Sequence, residues 1–135
     1  MIQITKQPIS AELVINKVKT KNSGGIISYV GLIRDNSQGK QVLSVEYEDT
    51  ENTAENELME VASEIKRKWP INNIAITHRI GKLKVGDINI VVAIAAAHRQ
   101  EGFAACQYAI DQFKERLPTH KTETYTDGST LIAGK

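Results

Sequence analysis

The sequence predicts an α+β domain: a mixed, largely antiparallel sheet with about three helices. Three observations carry this. Strand-like and helix-like segments follow one another without the regular strand–helix–strand rhythm of a parallel α/β sheet. Glycine turns at Gly86-Asp87 and Asp127-Gly128 join neighbouring strand segments directly, as antiparallel pairing allows. The run INIVVAIAAAH is the most continuously apolar strand in the chain. At 135 residues the chain is expected to be one domain, residues 1–135, long enough for a proper core.

In order, residues 2–6 alternate as a short strand, which Pro8 ends. Ser10 caps a helix over residues 11–21, with Glu12 in its first turn and Leu13, Val14 and Val18 on one face. Asn22-Ser23-Gly24-Gly25 stops that helix and turns the chain. GIISYVGLIRD is a buried, β-branched strand ending at Arg34, and Gly31 within it marks a bulge or a close backbone approach. Asn36 to Lys40 form a polar, mobile loop. QVLSVEYE alternates as a strand, with Val42, Ser44 and Glu46 on one face and Leu43, Val45 and Tyr47 on the other.

Asn52 with Glu55 caps a second helix that runs to about Lys68. Leu58, Val61, Ala62, Ile65 and Trp69 are its core stripe, and Pro70 stops it. INNIAITHRIG is the next strand, joined to INIVVAIAAAH as an antiparallel hairpin with a long connection. A third helix reads QEGFAACQYAIDQFKERL, with Phe103, Cys106, Ile110, Phe113 and Leu117 in one apolar stripe. KTETYT and STLI form a terminal hairpin about Asp127-Gly128.

Composition excludes several classes of function. A net charge of +1 with 24% charged residues gives neither a nucleic-acid stripe nor an acidic tail. No apolar run is long enough to span a bilayer, and MIQITKQPIS has no signal-peptide core. The single cysteine forms no internal disulfide, which fits a reducing cytoplasm. Cys106 is either a nucleophile or a small buried hydrophobe, and its place in the apolar stripe favours the second. No metal-ligand spacing and no phosphate-loop motif is present, so neither a metal nor a cofactor is expected.

The chemistry lies in the basic residues. Arg34 ends a strand, and His98-Arg99 stands where the most apolar strand meets the third helix. The unsatisfied N–H groups and dipole of a helix start favour an anion there. Arginine can grip phosphate through two hydrogen bonds, and histidine can add a donor. Lys114 lies at the edge of the apolar stripe, where it either snorkels to water or sits in a pocket that wants it. A partly desolvated lysine near other cations is pushed towards its neutral amine, which can serve as base or nucleophile. The residues support a small phosphorylated anion bound by Arg34, His98, Arg99, Lys114 and Lys121, without choosing the reaction. His78-Arg79 precedes a glycine turn and is given a shaping role.

YVGLIRD, the YE of SVEYED, HRIGKLKVGD, AAAHRQEGFAAC, and DQFKERLPTHKTE followed by DG stand in one order between about Gly24 and Gly128. In these motifs the sequence closely resembles the large, catalytic subunits of molybdopterin synthase. The resemblance implies an α/β hammerhead-type fold and a homodimer at the core of a heterotetramer. It implies a small ubiquitin-like sulfur-carrier partner with a C-terminal Gly-Gly thiocarboxylate. The substrate it implies is a pterin phosphate, cyclic pyranopterin monophosphate, which gains two sulfurs to become the molybdopterin dithiolene. It implies no cofactor, no nucleic acid and no membrane. Carried over position by position, it assigns substrate binding to Leu32, Ile33, Arg34, His98, Arg99, Lys114, Lys121, Thr122 and Glu123. Lys114 takes the principal catalytic role and Lys121 supports it. The chain departs from the family's usual pattern at His120 and Leu131, where tryptophan is common, and at Tyr29, commonly phenylalanine. A non-catalytic assembly module and a generic phosphate-ester binder are the alternatives.

Overall fold

A computed structural model describes residues 1–134, and Lys135 of the expected 1–135 domain lies outside the described residues. The chain runs β1 (Ile2–Thr5), α1 (Ala11–Val18), β2 (Gly25–Leu32), β3 (Asn36–Ser37), β4 (Lys40–Glu48) and α2 (Ala54–Lys68). It continues through β5 (Ile71–Arg79), β6 (Gly81–Lys84), β7 (Ile88–Ala96), α3 (Arg99–Glu115), β8 (His120–Tyr125) and β9 (Thr130–Gly134). One sheet has the order β1-β5-β7-β2, with β1 parallel to β5 and the other pairs antiparallel. The second has the order β3-β4-β8-β9, with β6 also paired to β4, and is antiparallel throughout. The α+β class with three helices is therefore what the described residues form.

β7 is apolar along its length because both of its faces are covered. Val91, Ala93 and Ala95 meet Val14 and Val18 of α1. Ile90, Val92 and Ile94 meet Leu58, Val61 and Ile65 of α2 together with Ala105, Cys106, Ala109 and Phe113 of α3. Alanines on one face let the short α1 approach closely, while isoleucines and valines on the other fill the space beneath two helices. A third core of Ile33, Val42, Val45, Tyr47, Leu83 and Tyr125 lies under the second sheet.

Several elements differ from expectation, each for a local reason. Ser10 does cap α1, accepting the Leu13 N–H at 3.3 Å, but the helix ends at Val18 and Leu13 is exposed. β2 ends at Leu32 rather than Arg34, and as the outer strand of its sheet it is less buried than its composition suggests. Residues 36–40 are a tight hairpin, not a loop: Gln38 (φ 52) and Gly39 (φ 79) both adopt the left-handed backbone that such two-residue turns need. A register shift between Val42 and Ser44 puts Val42 on the buried side with Val45 and Tyr47, breaking the expected alternation. The N-cap of α2 is Thr53 rather than Asn52, and the Asp49 carboxylate accepts the first N–H groups, those of Thr53 (3.1 Å) and Ala54 (3.2 Å).

The buried face of α3 is Gly102, Ala105, Cys106, Ala109 and Phe113, so the helix is rotated from the expected stripe and Phe103 is 58% exposed. Small residues decide this. A Cβ at Gly102 would lie 2.9 Å from Ile27 Cγ1, so the glycine brings α3 onto β2.

His78 joins the cores and fulfils its shaping role. It is fully buried, with Nδ1 at 2.8 Å from the Asn89 carbonyl and Nε2 at 3.2 Å from Thr119 Oγ1. Its ring lies edge-on to Tyr47 of β4 and to Phe113 of α3, each at 4.9 Å. Desolvation lowers its pKa from 6.5 to about 4, so the ring is neutral and donates Nδ1–H to the carbonyl. Between these values the unfolded chain holds a proton that the folded chain does not, so stability falls as the solution is acidified. The contribution is on the order of 3 kcal/mol, complete above pH 6.5 and lost towards pH 4. Thermal melts across this window should show a steeper loss for the native chain than for His78→Gln; equal slopes would contradict the assignment.

Candidate active site

The antiparallel course of the main sheet decides what meets at its ends. β2 and β7 pair from Gly25 opposite Ala96 to Leu32 opposite Ile88. β7 thus carries the chain away from Arg34 towards His98, and α3 brings it back. From Arg99 to Lys114 that return is about 22 Å at helical rise, so Lys114 arrives at the Arg34 end. There a cavity of about 1230 Å³ is lined by Leu32, Ile33, Arg34, Lys114, Lys121 and Glu123, among others.

Each wall is held locally. The Ile33 N–H donates to the Asp87 carbonyl at 3.0 Å, and the Gly86 N–H donates to the Ile33 carbonyl at 2.9 Å. The Asp87 carboxylate accepts the Lys84 N–H at 2.8 Å and pairs with Arg79 at 3.6 Å. The GKLKVGD turn therefore fixes the residue before Arg34 through both of its backbone groups. On β8, the two-residue strand period sends Lys121 and Glu123 to the cavity, while Thr122 does not line it. Glu123 Oε1 accepts from Ser37 Oγ at 3.2 Å and from Tyr125 Oη at 3.1 Å.

Among the described residues the ion pairs are Lys40–Asp127, Arg79–Asp87 and Arg116–Glu64, and none includes Arg34, Lys114 or Lys121. Arg116 also lines the cavity, but its guanidinium is committed to Glu64 at 2.8 and 3.0 Å, which holds that carboxyl below its usual value. Lys114 is exposed, so in a single chain it lacks the partly desolvated surroundings expected for it. Its apolar neighbours Ile110 and Phe113 nevertheless line the same cavity.

His98 and Arg99 are not part of this cavity. They are exposed at the start of α3, with His98 as the N-cap, at the far end of helix and sheet from Arg34. One chain thus gathers Leu32, Ile33, Arg34, Lys114, Lys121 and Glu123, and leaves His98, Arg99 and Thr122 outside. Cys106 is buried, and burial pushes its thiol up to about 11, which fits a core hydrophobe and not a nucleophile. Among the described residues no cluster of three or more His, Cys, Asp or Glu could hold a metal, and no helix is long and apolar enough to cross a membrane. Tyr47 and Asn89 also line the cavity. Helical periodicity and charge do not flag them; the available signal was that Asn89 is the one polar residue between Ile88 and Ala97.

Fold and cavity together define an α+β domain that turns uncommitted cations into an open cleft, a setting for a small anion. The family model described as MoaE protein matches residues 4–116, and the chain belongs to that family. It is 38% identical over 129 residues to the molybdopterin synthase catalytic subunit of Halalkalibacterium halodurans, spanning 96% of this chain and 83% of that one. It is also 38% identical to the human molybdopterin synthase catalytic subunit, over 100% of this chain and 72% of the human one. The X-ray structure of molybdopterin synthase from Staphylococcus aureus superposes with a TM-score of 0.88 at 31% identity, covering 98% of this chain and 96% of that chain.

Proposed function

We propose that the chain is the catalytic subunit of a molybdopterin synthase, an enzyme of molybdenum cofactor biosynthesis that transfers sulfur to a pterin. As a sulfurtransferase it takes sulfur from the C-terminal Gly-Gly thiocarboxylate of a small ubiquitin-like partner. The acceptor is cyclic pyranopterin monophosphate, and the setting is the cytoplasm. One observation carries this reading: Arg34, Lys114 and Lys121, from three separate stretches of chain, face one cavity without an ion pair among the described residues. Glu123 lines the same cavity without an ion pair to these cations, so their charge is open to an anionic ligand. Phosphate and thiocarboxylate are such anions.

Roles follow from placement. Arg34 takes the phosphate through its guanidinium fork, and Leu32 and Ile33 supply the wall beside it. Attack of the thiocarboxylate sulfur on a substrate carbon forms a C–S bond and develops negative charge on oxygen; water then cleaves the acyl C–S bond, so the tail leaves as a carboxylate and the sulfur stays on the pterin. The Lys114 ammonium stabilises that developing charge. Lys121 holds the carboxyl end of the incoming tail, on the strand that Thr122 and Glu123 continue. The tail enters extended, held by backbone hydrogen bonds, and its glycines have no side chains to exclude.

His98 and Arg99 reach the same phosphate from a second copy. β2 is the open edge of its sheet and exposes Val30 and Leu32, with Phe103 exposed on the adjoining helix. Two such edges opposed antiparallel across a twofold axis set the His98 end of one copy against the Arg34 end of the other. The homodimer then carries one small partner at each end, as a heterotetramer.

Lys114→Ala and Lys114→Arg should each lose most turnover while still assembling with the small partner, because arginine keeps the charge but its planar fork does not take the place of a compact ammonium. Lys121→Ala should retain a measurable fraction. Near-native turnover by an assembled Lys114→Ala complex would remove Lys114 from catalysis. For the shared site, Arg99→Ala and Lys114→Ala should each be nearly inactive alone, yet mixed dimers should recover roughly a quarter to a half of the activity. No recovery from demonstrated mixed dimers would remove Arg99 from the site at Lys114.

A further inference from the structure

Among the uncharged polar side chains that line the cavity and that the proposed chemistry does not use are Tyr47 and Asn89. Asn89 Nδ2 donates to Tyr47 Oη at 3.0 Å. That bond takes up an acceptor site of the phenol and leaves its O–H hydrogen free for another partner. Burial raises the Tyr47 pKa, so the phenol stays protonated and able to donate. Asn89 Oδ1 is buried and has no hydrogen-bond partner among the described residues. A buried carbonyl oxygen without a donor is unfavourable, and a ligand N–H would relieve it.

The pair is held rigidly. His78 donates to the Asn89 backbone carbonyl and lies edge-on against the Tyr47 ring, as described above. On the other side, a Cβ at Gly31 would stand 2.6 Å from Asn89 Oδ1 and 2.8 Å from Ile90 Cγ2. Glycine at that position leaves the carboxamide its room.

We propose that Tyr47 and Asn89 recognise the ring of the substrate rather than its phosphate, by reading a lactam edge. The Tyr47 hydroxyl donates to the ring carbonyl, and Asn89 Oδ1 accepts the adjacent ring N–H. The inference rests on the pterin reading of the cavity and adds to it the residues that select the heterocycle. Its logic is one of sorting. Phosphate and thiocarboxylate only accept hydrogen bonds, so neither can satisfy Asn89 Oδ1, whereas a lactam offers a donor beside an acceptor. The cations thus take the anionic groups, and the neutral pair takes the ring.

The test uses the assembled synthase, native and with Tyr47→Phe or Asn89→Ala, each checked for an intact melting transition. Loss of one neutral hydrogen bond corresponds to roughly a three- to tenfold weaker affinity. Tyr47→Phe should raise KM for cyclic pyranopterin monophosphate by that factor, with the effect on KM rather than kcat, and leave affinity for inorganic phosphate unchanged. As competitive inhibitors, pterin should outdo 2,4-diaminopteridine, which lacks the ring carbonyl, on the native enzyme. Tyr47→Phe should erase that preference. An unchanged KM, or an equal loss of phosphate affinity, would overturn the inference while leaving the functional reading standing. Failure of the native synthase to bind the pterin precursor would bring down both.

Discussion

Both faces of β7 are covered by helices, and the placement of the site follows from that double burial. A strand enclosed on both sides offers no route for its chain to return except over one face, and α3 takes it. Because α3 runs back along β7 and β2, its C-terminal end lies where β2 ends, and Lys114 lines the same cavity as Arg34. The close approach needs Gly102, Ala105 and Ala109 on the underside of the helix, where larger side chains would lift it off the sheet. His78 then ties this helix–sheet layer to the second sheet through Tyr47, Phe113 and Thr119. The packing of the core and the geometry of the cavity are thus one problem.

Much of this was legible from the residues. The strands and helices lie close to where periodicity and punctuation put them, and Gly31 does mark a register shift and a close approach. What failed has physical causes. A strict period of two cannot register an extra residue, so the bulge after Val42 inverted part of β4. An apolar stripe counts large side chains, so it chose Phe103 over Gly102 and rotated α3, although the helix packs where its residues are smallest. Asp49 was passed over as the acceptor for the first N–H groups of α2 because its carboxylate reaches back from beyond the turn at Asn52, whose left-handed backbone was not visible in the sequence.

The candidate site was legible in part. Charge and family resemblance gathered Arg34, Lys114, Lys121 and Glu123, and the fold puts them around one cavity. The same reasoning grouped His98 and Arg99 with them, but the length of α3 separates the two sets within one chain. No sequence spacing reports such a separation, since it depends on which strand end a helix returns to. The Tyr47–Asn89 contact escaped for a different reason: a tyrosine in an alternating strand and an asparagine in an apolar one look like ordinary sheet residues until their side chains are seen to meet.

The central claim is that the unpaired cations at the end of β2 and α3 form the pterin phosphate site, completed by a second copy. It is tested most directly by a crystal structure of the assembled complex with cyclic pyranopterin monophosphate bound. The account predicts the phosphate between Arg34 of one copy and His98-Arg99 of the other, with the pterin carbon beside Lys114. Substrate density on another face, or a phosphate held by one copy alone, would contradict it.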